Sequence, residues 1–366
     1  EDPEQSNNFI YLCDYLRESF NLEPDRLHRI KNPDESLNAN YGFVLMQPTL
    51  SNWTAMISPR EQYGAAKWGY SYQYTRLLDA GGTVFSDALL GIDKVITCVP
   101  LDEKLYDPVD EIDSYTLYRP RFVLPFGVPV NDCSGIKQSG DTVDMHNSVY
   151  REIKKAVGRP DNTGDDDIAE WLVIGSEEPL INVDIDRPMA LYLLGAGGDK
   201  EDKNLSIDVK RGNRWEQIIV PDIGDTDNTG YPAYFNNNAI CLGCFDSETV
   251  EIRIRNNIQD NMGFPIYIMG LDMVKLDSVC DECSKIADYA MQAGKSSLEF
   301  TFDNSSGMAD AILLPIAFDR GWNATVNGKG VDIQPQAGLF TTVPLAEGIN
   351  YVKMRFVPRG MIVGFG

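Results

Sequence analysis

The sequence predicts a mainly β chain with a smaller α/β part, in which β-sandwich units of the jelly-roll kind follow an α+β N-terminal domain. Three observations carry that expectation. Apolar residues fall at every second position in Val250-Ile252-Ile254, Leu298-Phe300-Phe302 and Val352-Met354-Phe356, with charged or polar residues between them, the period of a half-buried strand. Reversal signals separate these runs: Asn327-Gly328 is a two-residue hairpin signal because both positions accept positive φ, and Asp319-Arg320-Gly321-Trp322 and Glu347-Gly348 mark further turns. Helical periodicity, by contrast, is confined to a few stretches, most of them near the N-terminus.

Length and charge narrow the class. At 366 residues the chain suggests two or three domains, here drawn as an α/β N-terminal domain over 1–133, a carbohydrate-binding-module-like β-sandwich over 134–276, and a linking helix plus antiparallel sandwich over 277–366. With 32 Lys+Arg against 55 Asp+Glu the formal charge is -23. The acids are spread along the chain, so no basic face is available for phosphate and a nucleic-acid partner is excluded. No apolar run reaches the length that spans a bilayer.

Taken in order, Ser6 can cap a helix whose Phe9, Leu12, Leu16 and Phe20 share a face. Arg26 to Ile30 reads as a short strand. Helices are expected after Pro59, over Arg60 to Trp68, and over Ser86 to Leu90, and a strand over Lys94 to Val99 ends at Pro100. Leu117 to Val130 alternates as a strand before prolines and Asn131-Asp132 interrupt it. In the second segment a helix over Asn147 to Val157 and an acidic loop, Asp161 to Asp167, precede strands at Met189 to Leu194, Leu205 to Val209, Trp215 to Val220, Val250 to Arg255 and Phe264 to Met269. A helix over Ser278 to Ala293, capped by Asp277 and closed by Gly294, leads to the terminal β unit.

Three constellations could carry chemistry. Cys241-Leu242-Gly243-Cys244 and Cys280-Asp281-Glu282-Cys283 are two CxxC elements that could offer four thiolates to zinc, and the same residues serve equally as small buried hydrophobes. Seven cysteines leave one thiol over in any full set of disulfides. Asp225, Asp227 and Asn228 resemble the start of a calcium loop without its terminal bidentate Glu, which leaves a solvated loop as the other reading. Flat aromatic rings beside amides suit sugar recognition, which singles out Trp53, Trp68 and Tyr70, then Tyr231 and Tyr234 with Asn236 and Asn237, and finally Trp322, which could instead anchor its turn. Acid–base and nucleophilic catalysis find no signature: the two histidines, His28 and His146, lie in different segments, and no nucleophile elbow or phosphate loop is present.

The terminal stretch also carries a resemblance. The order LLPIAFDRGWNATVNGKGV, then AGLF, then VPLAEGINYVKMRFVPRGMIVG resembles the C-terminal portion of the bacterial membrane protein family YfhO, and DALLGIDKVI at 87–96 resembles a second segment of that family. Asn327 and Asn350 stand where the family more often has Asp and His. The resemblance implies the extracellular portion of a polytopic membrane protein at the surface of a Gram-positive-type bacterium, with 360–366 approaching a membrane helix outside this sequence. It further implies kinship with glycosyltransferases that use a lipid-linked sugar to modify surface polymers such as lipoteichoic acid, the catalytic acids lying near the membrane helices. This portion would then bind or position a glycan or polymer acceptor and require no cofactor. A free-standing secreted carbohydrate-binding or adhesion protein is the alternative, and a hydrolase with a carboxylate pair a third.

Overall fold

The computed structural model describes residues 3–37, 39–53, 58–73, 76–158, 166–194, 205–219, 239–256, 265–286 and 291–358. Strands dominate, and six helices are present among the described residues: α1 (Pro3–Ser19), α2 (Tyr41–Leu45), α3 (Pro59–Lys67), α4 (Val84–Leu89), α5 (Thr142–Ala156) and α6 (Met273–Ile286).

The N-terminal unit is built on a four-stranded sheet in the order Arg29–Lys31, Ile92–Thr97, Tyr115–Pro120, Tyr106–Ile112. Its first pair is parallel, which requires a long crossover; α2, α3, a small three-stranded sheet and α4 supply it. The helix expected over 86–90 begins earlier because Thr83 and Ser86 form a capping box. The single strand expected over 117–130 is two strands, Tyr115–Pro120 and Val128–Val130, which enter different sheets.

The middle unit is an eight-stranded antiparallel sandwich. Its outer sheet runs Leu180–Ile185, Glu248–Asn256, Leu205–Arg211, Arg214–Ile218, and its inner sheet Ile240–Phe245, Met189–Leu194, Ile266–Asp272, Ala169–Ser176. Residues 180–185 alternate exposed and buried, as a strand with one wet face must. Met189–Leu194 is buried at all six positions. Met189, Leu191 and Leu193 face the sandwich core, while Ala190, Tyr192 and Leu194 enter a second, larger core. A strand covered on both sides needs no polar alternate, which is why MALYLL reads as an unbroken apolar run.

The C-terminal unit pairs two more sheets. One runs Gln292–Ala293, Ser297–Asn304, Gly348–Phe356, Trp322–Val326, Lys329–Val331, with Asn327 and Gly328 at φ 52° and 77° forming the tight hairpin. The other runs Gln334–Gln336, Phe340–Pro344, Ala311–Leu314, Val128–Val130, so a strand from the first third of the chain completes a C-terminal sheet. The linking helix also departs from expectation. It begins at Met273, not Ser278, because the Asp272 carboxylate accepts from the Val274 and Lys275 amides, each at 3.0 Å. Residues 287–290 lie outside the described residues.

The large core joins all three units: Trp68 and Phe85, Val149 of α5, Tyr192 of the inner sheet, Leu276 of α6 and Phe340 belong to it. Gly64 and Gly338 touch at this junction. A Cβ on Gly338, whose φ is +82°, would lie 2.6 Å from the Gly64 Cα. Gly338→Ala is therefore expected to lower stability by about 2–4 kcal/mol, from left-handed strain plus overpacking. A urea midpoint unchanged from wild type would show that the backbones can part.

Candidate functional site

A cleft of about 760 Å³ opens where the N-terminal unit meets the sandwich. One side comes from Lys31, Pro33, Asp34, Gly81 and Gly82 and from the Thr97–Glu103 loop with Tyr106; the other comes from Tyr192, Arg211, Glu216–Ile219 and Ala239–Gly243. Clefts between packed units are where small-molecule sites are most often built.

A buried ion pair organises its base. Lys31 ends its strand with 5% of its side chain exposed, and its ammonium donates to both Asp87 oxygens at 2.9 and 2.8 Å and to the Gly81 carbonyl at 2.8 Å. Asp87, in the first turn of α4, also accepts from the Tyr70 hydroxyl and from Tyr106 at 3.4 Å. The Tyr192 hydroxyl accepts from the Val84 amide at 3.0 Å, so it closes the start of the same helix. Burial holds the phenols of Tyr70, Tyr106 and Tyr192 well above the usual tyrosine value, and neighbouring Asp87 adds to this. All three stay protonated, and Tyr70 and Tyr106 donate to Asp87. Gly81 and Gly82 have φ of +88° and +75°, and a side chain on Gly82 would collide with the Tyr70 ring.

The rim is stitched by charge. The Asp102 carboxylate accepts from Arg211 at 2.9 Å, from the Cys244 amide at 2.8 Å and from the Lys104 amide at 2.9 Å. Lys104 reaches Asp246 at 2.9 Å, and Arg211 lies 3.1 Å from Glu216 and over the Phe245 ring. The Asp102–Arg211, Asp102–Cys244 and Lys104–Asp246 contacts cross from one unit to the other.

Behind the cleft, His146 stands fully buried between Trp68 and Phe85. Its Nδ1 is 2.7 Å from the Thr142 carbonyl, which can only accept, so Nδ1 carries the proton and Nε2 takes the Thr83 hydroxyl at 2.6 Å. Burial lowers its pKa to about 4. The imidazole is a structural link between α4 and α5.

The residues singled out for sugar stacking are dispersed. Trp68 and Tyr70 are wholly buried, and the Trp68 indole donates to the Ala337 carbonyl at 2.9 Å, so neither offers a face to a ligand. Trp322 is half-buried against Phe356, with ring centroids 5.2 Å apart, and anchors its turn. The Trp53 side chain, together with Tyr231, Tyr234, Asn236, Asn237 and the calcium candidates Asp225, Asp227 and Asn228, lies outside the described residues. The exposed aromatic of the sandwich is Trp215 on the outer sheet, one ring face covered by Arg253 at 4.3 Å.

The four cysteines of the two CxxC elements do not converge. Among the described residues the group with three donor atoms within 4.8 Å of one another is Asp25, His28 and Asp93. Burial pushes the Cys241 and Cys280 thiols up to about 12, Cys244 to about 11 and Cys283 higher still, which favours the neutral thiol of a core residue. In the Asp25 group Lys94 already supplies the cation, 2.9 Å from Asp93 and 3.9 Å from Asp25.

Residues 225–366 match the family model described as bacterial membrane protein YfhO. Over that stretch, less than half of the chain, the sequence is similar to the YfhO family. The matched stretch includes the Ala239–Gly243 wall of the cleft, and the other lining residues, Lys31 to Ile219, precede it. No helix among the described residues is long and apolar enough to cross a membrane. No curated protein matches the chain. Among solved structures it is similar to a glycoside hydrolase 29 family member from an unknown rumen bacterium, at 10% identity and a TM-score of 0.20 over 58% of this chain and 42% of that one. A Paenibacillus sp. cycloisomaltooligosaccharide glucanotransferase complexed with cycloisomaltoheptaose gives 7%, 0.20, 54% and 43%. The arabinofuranosyltransferase AftD from Mycobacteria gives 8%, 0.17, 72% and 26%. The chain thus spans less than half the length of each, and likenesses this low carry no argument about activity.

Proposed function

We propose that this chain is an extracellular, non-catalytic portion of a polytopic membrane protein of a Gram-positive-type bacterium, and that its cleft binds and positions a surface glycan or polymer acceptor. The sugar would come from a lipid-linked donor, and transfer would be performed by membrane-embedded residues outside this sequence. Lipoteichoic acid is the type of surface polymer meant, with an uncharged saccharide part of it entering the cleft. The observation that carries the binding role is the cleft itself, large enough for a few sugar rings and lined by apolar Val99, Leu101 and Ile218 beside polar Asp34, Glu216 and Gln217. The YfhO match supplies the membrane context. A binding role suits the chemistry of the site better than a catalytic one: the Lys31 ammonium is fully paired, and burial keeps the Tyr106 phenol and Cys241 thiol protonated.

The test is calorimetry of the full chain with saccharides released from Gram-positive cell envelopes. Leu101→Trp, which fills the cleft, and Gln217→Ala, which removes an amide, are expected to weaken binding at least about tenfold and about threefold, the larger loss corresponding to about 1.4 kcal/mol. Trp215→Ala, at a residue that does not line the cleft, should leave it unchanged. Binding that survives Leu101→Trp and vanishes with Trp215→Ala would move the site to the outer sheet and sink the proposal.

A further inference from the structure

We infer that the cleft takes an uncharged, polyhydroxyl segment of its ligand and turns away phosphate- or carboxylate-bearing stretches. This rests on the glycan-binding reading above and adds the charge class of what enters.

The argument begins with the positive groups, because an anion must be met by a cation or by free N–H donors. Among the described residues two cations line the cleft, Lys31 and Arg211. The three N–H bonds of Lys31 are all directed at protein acceptors, two at Asp87 and one at Gly81. An incoming phosphate would have to compete with a buried carboxylate that is already bidentate. Arg211 is held from two sides, by Asp102 through Nη2 and by Glu216 through Nε. The start of α4, beside Gly82, is the other place where backbone amides could receive an anion. Three of those amides are taken: Val84 by the Tyr192 hydroxyl, Ser86 by the Thr83 hydroxyl and Asp87 by the Thr83 carbonyl.

The negative groups point the same way. Four carboxylates, Asp34, Asp102, Glu103 and Glu216, line the cleft against its two cations, on a chain whose formal charge is already -23. A narrow, partly apolar cleft concentrates that potential, so a polyanion meets repulsion before contact. A sugar meets the opposite situation. Its hydroxyls are donors, and Glu103, Glu216 and the Gln217 amide oxygen are acceptors at an exposed edge, while Val99, Leu101 and Ile218 receive the C–H faces of the rings.

The test sets two matched probe sets against the full chain in calorimetry at low and moderate salt: neutral linear oligosaccharides and glycerol-phosphate oligomers of similar length. The neutral set is expected to bind with an affinity that changes less than about twofold with salt, and the glycerol-phosphate set to bind at least about tenfold more weakly. The double variant Glu103→Gln/Glu216→Gln is expected to narrow that gap by raising affinity for the glycerol-phosphate set. Both residues are surface-exposed, and far-ultraviolet circular dichroism would verify that the variant folds. Glycerol-phosphate oligomers binding more tightly than neutral sugars, in competition with the Leu101→Trp substitution, would overturn the charge assignment and leave a glycan-polymer cleft standing. Failure of both sets to bind would overturn the binding role as well.

Discussion

Asp87→Ala is expected to lower the unfolding free energy by about 3–5 kcal/mol, because it strands the Lys31 ammonium in a site where 5% of that side chain reaches solvent. The loss should appear as a lower urea midpoint. The double variant Lys31→Met/Asp87→Leu separates two contributions. Removing both charges relieves the uncompensated ion, yet it leaves the Tyr70 and Tyr106 hydroxyls without their acceptor, so partial recovery is expected. If Asp87→Ala is as stable as wild type, water reaches Lys31 and the floor of the cleft is not the closed network described here.

The second large effect is a pH dependence centred on Glu35. This carboxyl is partly buried beside Asp79, which itself accepts from the Tyr41 hydroxyl, the Thr49 hydroxyl at 2.9 Å and the Asn32 and Ser51 amides. Burial, then the nearby Asp79, raises the Glu35 pKa from 4.5 to about 8, while the Ala80 amide, donating at 3.3 Å, opposes the rise. The native state therefore binds the proton more tightly than the unfolded chain. The associated stability is fully present below pH 4.5 and is lost as pH rises through about 8. Glu35→Gln removes the titration. The variant should match wild type near pH 5 and exceed it by a few kcal/mol near pH 9, read from urea midpoints at both pH values. Parallel curves for the two proteins would refute the assignment. His146 acts in the reverse sense, since its lowered pKa makes stability fall as pH drops through the range between 6.5 and about 4.

How far the sequence revealed this molecule depends on the range of the interaction involved. Alternation in 298–302 and 352–356 and the Asn327-Gly328 turn are local, and each appears in the structure as a strand or hairpin. The expected cap of α6, Asp277, lies inside the helix, and its start is decided by the strand that ends at Asp272. Trp68 and Tyr70 drew a binding role from residue type alone, although both are swallowed by a core assembled from all three units. The cleft itself was invisible. Lys31 and Asp87 are 56 residues apart, and Asp102 and Arg211 are 109 apart. One signal could have suggested the first pair: an acid in the otherwise apolar run DALLG, which a buried helix start tolerates only with a partner.

The placement of Val128–Val130 beside Ala311–Leu314 bears on the order of events during synthesis. A ribosome working from the N-terminus releases Val128–Val130 long before its hydrogen-bonding partner exists, and at about 5–20 residues per second the wait lasts on the order of ten seconds. The early third of the chain must therefore hold one apolar strand in reserve. The C-terminal unit expressed alone would present Ala311–Leu314, apolar at every position, as an open edge to other molecules, so maturation of this protein is a whole-chain event and not a sequence of independent steps.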